Sequence, residues 1–153
     1  MSTISRPPVP LVAYDPAAYL GADEVIESDD PEIVRLCYVK SHLLAALLRA
    51  EGIPTGLCYQ RLADGSGSHV LHGLVAVYLD GRWHRLDPRG NNANVDAQFT
   101  LHGEQVAYIA DPAAGEVDYP DVLIQPAPPV LAALRSSDDV LALCQSGLPA
   151  SLH

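Results

Sequence analysis

The chain has 153 residues, a formal net charge of -10 and a pI near 4.7, a size that suits one domain with its own core. The acid excess argues against a phosphate-backbone binder, which needs a cationic footprint, and no apolar run approaches the ~20 residues that span a bilayer. Three scattered cysteines (Cys37, Cys58 and Cys144) do not make a disulfide framework, and residues 1–8 lack the apolar core of a signal peptide, so a reduced cytoplasmic protein is expected.

Residues 1–21 are Pro-rich and read as an extended N-terminal arm. Asp29-Asp30-Pro31-Glu32 is a helix start: an Asp cap, Pro at the first helical position and an acid in the first turn. Nothing breaks the helix before Ala50. Its apolar stripe is expected to be Ile33, Leu36, Cys37, Lys40, Leu43, Leu44, Leu47 and Leu48, which recur at spacings of three and four. Gly52 ends it and Pro54 prevents continuation. Residues 56–62 read as a strand and Asp64–Ser68 as a loop. Residues 69–79 and 82–87 form two strands joined at Asp80-Gly81, a strong hairpin signal. Short strands are expected at 96–100, 105–109 and 122–124, and short helices near 129–135 and 138–144. The reading is one α+β domain over residues 1–153. Its core, 30–110, is a central helix on an antiparallel sheet, and residues 111–153 form a tail.

The hairpin permits a register argument. A symmetric two-residue loop pairs Leu79 with Arg82, Tyr78 with Trp83, Ala76 with Arg85, and Leu74 with Asp87. His72 then shares a sheet face with Asp87 and lies diagonal to it, ~7–8 Å away at the backbone. His84 has the opposite parity, across from Val77. His69 and His72 point to opposite faces, so they do not make a zinc pair. His42 lies off the face of Cys37 and reads as a surface or cap residue. Cys58 and Cys144 read as core, Trp83 as a cross-strand partner of Tyr78, and Gln60 as a weak candidate donor near the site.

Three blocks recur in order. They are Cys37 with Leu43-Leu44-Ala45-Ala46-Leu47-Leu48-Arg49-Ala50 and Gly52-Ile53-Pro54, then His72-Gly73-Leu74-Val75-Ala76-Val77-Tyr78, then Trp83-His84-Arg85-Leu86-Asp87-Pro88. In this the chain resembles the transglutaminase-like (papain-like thiol) superfamily, in particular its small bacterial members, over about residues 36–92. The resemblance implies Cys37 as nucleophile, His72 as base and Asp87 as its orienter. It further implies acyl transfer from a peptide or amide, the acyl group passing to water or to an amine acceptor; hydrolysis is the expectation, no residue decides between them, and no metal or nucleotide cofactor is required. Two alternatives stay open. A thiol sharing the leucine stripe can be an inert core cysteine. A helix starting at Pro31 would put Cys37 about two turns inside it, away from the helix-terminal dipole, and so fit a scaffold that binds without catalysing. Oligomeric state is not legible.

Overall fold

The structure is a computed structural model that describes residues 15–20, 37–139, 142–143 and 147–153. The expected helix start at Pro31, the placement of Cys37 relative to it, and Cys144 lie outside the described residues. Helix α1 (Cys37–Ala50) leads into strand β1 (Thr55–Ala63), β2 (His69–Leu79) and β3 (Arg82–Leu86), followed by the short β4 (Val117–Asp118) and helix α2 (Pro128–Ser136). The strands form one antiparallel sheet in the order β3-β2-β1-β4. The fold is α+β, with a helix packed on an antiparallel sheet.

α1 ends in a Schellman turn: Gly52, left-handed at φ 77°, donates to Arg49 O at 2.9 Å, and Ile53 N to Leu48 O at 2.9 Å. The β2–β3 loop has φ of 51° at Asp80 and 80° at Gly81, the paired positive values of a type I′ turn whose twist suits a hairpin. That turn sets the register, and Leu79 pairs with Arg82, Tyr78 with Trp83, Val77 with His84 and Ala76 with Arg85. The ladder closes at Val75–Leu86, before the expected Leu74–Asp87 pair.

Alternation along the strands separates two cores. Odd-numbered Leu57, Tyr59, Leu71 and Val75 meet Tyr38 and Ala45 of α1 and Val130 of α2. Even-numbered Cys58, Leu74 and Ala76 meet Tyr19 and Val122 on the opposite face. Burial pushes the Cys58 thiol up to about 12, with neighbouring carboxylates adding to it and Arg85 opposing, as befits a core cysteine.

Several expectations are corrected. Residues Pro16–Leu20 are not extended but form a 3-10 turn. Its Tyr19 is fully buried, donating to Val122 O at 2.8 Å and meeting the Trp83 ring edge-on. α1 buries Tyr38, Val39, Ser41, His42, Ala45 and Arg49, whereas Leu43 and Leu47 are 45% and 57% exposed. Residues 96–100 and 105–109 make no strands. A single bridge, Gln98–Gln105, joins them, and Leu123 likewise makes only a bridge to Leu57. The 129–135 helix is present as α2; of 138–144, only Ala142 and Leu143 are helical among the described residues.

Candidate active site

The end of β3 at Leu86 makes the site. Beyond it, the outward backbone groups of Leu71 and Gly73 on β2 have no ladder partner, and unpaired buried backbone groups are costly. Other parts of the chain supply the partners. The Tyr38 hydroxyl donates to Leu71 O, and Ser41 Oγ donates to Gly73 O at 2.9 Å. Leu71 N donates to Pro149 O at 2.9 Å, and Gly73 N to Cys37 Sγ at 3.5 Å. This is why α1 lies on the side that carries Tyr38, Ser41 and Arg49: their side chains donate to backbone carbonyls. Arg49 does the same further along, reaching Thr55 O and Ile124 O, each at 2.7 Å.

Gly73 permits the close approach. A Cβ built there would meet Tyr38 Cδ1 at 2.9 Å, so any side chain would push the start of α1 away from the strand. Cys37 packs with the α1-facing core, whereas His72 has the parity of the other face. The two meet around the sheet edge left open by β3.

His72 Nε2 lies 2.7 Å from Asp87 Oδ2. Asp87 Oδ1 also accepts Arg89 N at 3.1 Å, and Oδ2 accepts Ala107 N at 3.2 Å. With Nε2 committed to Asp87, Nδ1 is the nitrogen left for the Cys37 thiol. Burial alone would lower the His72 pKa, but hydrogen bonds to Asp87 and Cys37 and their charges outweigh it and raise the pKa to about 9. Asp87 is the mirror case. Burial would raise it, yet the bond and charge of His72 with the two backbone amides hold it below the usual carboxylate range. The structure thus brings together all three residues singled out in the sequence.

Residues 104–110 act as a strap across this pair. The Tyr108 ring meets the His72 imidazole edge-on, with centroids 5.1 Å apart. Its carbonyl accepts Gln60 Nε2 at 3.1 Å, so Gln60, buried opposite His72 in the ladder, holds the strap rather than facing substrate. Glu104 anchors one end on Arg85, which also pairs with Asp118, both at 2.6 Å. The α1 residue Lys40 donates to Arg89 O at 2.9 Å, tying the turn after Asp87 to the helix that carries Cys37.

A cleft of about 640 Å³ opens beside Cys37 and His72. Leu62, Val70, Ile109 and Leu148 give it apolar walls, and Arg89 and Tyr108 stand at the His72 end. The sequence reading missed Arg89, Tyr108 and Glu104. Arg89 follows directly on the Asp87-Pro88 strand end, a local signal, but nothing in the sequence registers Tyr108 against His72. His42, expected at the surface, is 1% exposed, and burial lowers it to about 4. Its ring nitrogens meet no hydrogen-bond partner among the described residues.

Among the described residues no cluster of His, Cys, Asp and Glu has metal-holding geometry, and no helix is long and apolar enough to cross a membrane. A family model described as the transglutaminase-like superfamily matches residues 16–88, a span that includes Cys37, His72 and Asp87. No curated protein and no solved structure matches the chain.

Proposed function

We propose, from the match of residues 16–88 to the transglutaminase-like superfamily model and from the site geometry, that this chain is a thiol acyltransferase acting on an amide or peptide, with water as the acyl acceptor. Cys37, His72 and Asp87 carry the reaction. The observation that supports this most is the position of His72, held between Asp87 at 2.7 Å and the Cys37 thiol, with its pKa raised to about 9. The imidazole is bonded to Asp87 on one side and lines the cleft together with Cys37, an arrangement suited to moving a proton for a thiol nucleophile.

The sulfur attacks the carbonyl carbon and a C–S bond forms. His72 gives its proton to the nitrogen as the C–N bond breaks and the amine leaves. The neutral imidazole then takes a proton from water attacking the thioester, the C–S bond breaks and the acid is released. Asp87 fixes the tautomer and offsets the charge on the imidazole. Gly73 N–H donates weakly to the Cys37 sulfur at 3.5 Å and helps to seat it. The chemistry requires no metal or nucleotide, and the partners are small amides or peptides rather than nucleic acid. The scattered cysteines fit a cytoplasmic setting.

The test follows release of amine from peptide amides, with and without an added primary amine. Turnover that is lost in both Cys37→Ala and His72→Ala, with free acid as the main product, is the expected result. An amide-linked product dominating at millimolar amine would make it a cross-linking enzyme. Turnover absent from the folded wild type, or unchanged in Cys37→Ala, would overturn the reading and leave a binding scaffold.

A further inference from the structure

The cleft holds a cation whose role the triad does not use. Arg89 follows the strand end that supplies Asp87, and its backbone is fixed twice: its N–H donates to Asp87 Oδ1 at 3.1 Å, and its carbonyl accepts Lys40 Nζ at 2.9 Å. The side chain is half-buried and lines the cleft with Cys37 and His72. Its guanidinium sits 5.4 Å from the Tyr108 ring centroid, and that same ring abuts the His72 imidazole. Stacking on an aromatic face orients the planar fork without using up its donors. Among the described residues, the one side-chain hydrogen bond it makes is a 3.3 Å contact to the carbonyl of its neighbour Gly90.

The other charges nearby sharpen the contrast. Arg85 is neutralised by Glu104 and Asp118. Glu116, the acid lining the cleft, has both oxygens on backbone amides, Ala63 N at 2.8 Å and Asp111 N at 2.7 Å. It sits beside Ala63, three ladder positions from the Gln60–His72 pair, or ~10 Å along the strands. Lys40 adds a second cation on the Arg89 side. In a chain with nine Lys and Arg against nineteen Asp and Glu, a rigid guanidinium with unused donors beside the nucleophile marks a place for a negative group.

We propose that Arg89 is a specificity-determining residue that selects an acyl donor carrying a carboxylate next to the reacting amide. This deepens the acyl-transfer reading and rests on it. The guanidinium presents two parallel N–H donors to the carboxylate, a geometry Arg favours, while the aliphatic part of the donor lies along Leu62, Val70 and Ile109.

The first experiment needs no known substrate. Alkylation of Cys37 is followed by peptide mass mapping with iodoacetate, which is anionic, and iodoacetamide, its neutral counterpart. The iodoacetate-to-iodoacetamide rate ratio at Cys37 should exceed that of free cysteine, fall by about tenfold in Arg89→Gln, as loss of a charge-assisted pair implies, and recover in part in Arg89→Lys. A ratio no greater than that of free cysteine, or one unchanged in Arg89→Gln, overturns the assignment. Amide donors then locate the carboxylate. A preference for a Glu over a Gln side chain puts it on the side chain, a preference for a free over an amidated C-terminus puts it on the main chain, and either supports the assignment if Arg89→Gln removes it. An Arg89-dependent alkylation ratio with no amide turnover by any donor would uphold the anion site while refuting the acyl-transfer function.

Discussion

Replacing Gly73 by alanine tests the contact that seats Cys37. The added methyl would lie 2.9 Å from Tyr38 Cδ1 and 3.7 Å from Ser41 Oγ, against an ordinary carbon–carbon separation of about 3.5–4.0 Å. Tyr38 cannot swing aside, because it is fully buried and its hydroxyl is held by Leu71 O. The helix must therefore shift by roughly half an ångström or more. Overpacking of this kind costs about 1–3 kcal/mol, offset by about 0.4–1 kcal/mol from the stiffer unfolded chain. The middle of those ranges leaves a net loss of about 1.3 kcal/mol, a Tm lower by ~3–5 °C for a chain of this size. Urea unfolding followed by far-UV circular dichroism measures it, and a double-mutant cycle with Tyr38→Leu should show coupling between the two positions. A Gly73→Ala protein as stable as the wild type, with no coupling to position 38, would refute the close approach.

Other consequences follow from the same structure. Arg85→Met leaves the half-buried Glu104 and Asp118 without the buried cation they share; a loss of about 2–4 kcal/mol is expected in urea titrations, below the full value for a wholly buried pair. Asp87→Asn keeps the shape but removes the charge that holds His72 protonated. Amide turnover should fall by about 10²-fold or more, and the His72 imidazole should titrate at lower pH by NMR. Stability also depends on pH in two opposed ways. His72 has its folded pKa raised from 6.5 to about 9, so its contribution is complete below pH 6.5 and fades as pH rises through about 9. His42 is lowered to about 4, so its contribution is complete above pH 6.5 and is lost as pH falls towards 4. Unfolding midpoints should drop on both sides, with His72→Gln flattening the alkaline arm and His42→Phe lessening the acid one.

Much of this was legible in the residues because the informative signals are local. Asp80-Gly81 sets a type I′ turn, the turn sets the register, and the register puts His72 beside Asp87. The helix face was not legible, and the reason is physical. Periodicity counts apolar residues and so favours Leu43 and Leu47. The helix instead buries Tyr38 and Ser41, whose hydroxyls satisfy β2 carbonyls left open where β3 stops, and Arg49, which bonds Thr55 O and Ile124 O further along. That demand is tertiary and leaves no trace in the sequence of the helix itself. The strap at 104–110 was misread as strand for a related reason: Glu104, Ala107 and Tyr108 are held by Arg85, Asp87 and Gln60, contacts remote in sequence, rather than by a neighbouring strand. His42 lies off the face of Cys37, which pointed it to the surface, yet α1 buries that side as well.

The central claim is that Cys37 and His72 act as a coupled pair, and alkylation of Cys37 by iodoacetamide at pH 6 tests it most directly. The wild type should react at least about tenfold faster than His72→Ala, and the difference should shrink towards pH 9–10, where an isolated thiol ionises unaided. Equal rates at pH 6, with both proteins folded, would contradict the account.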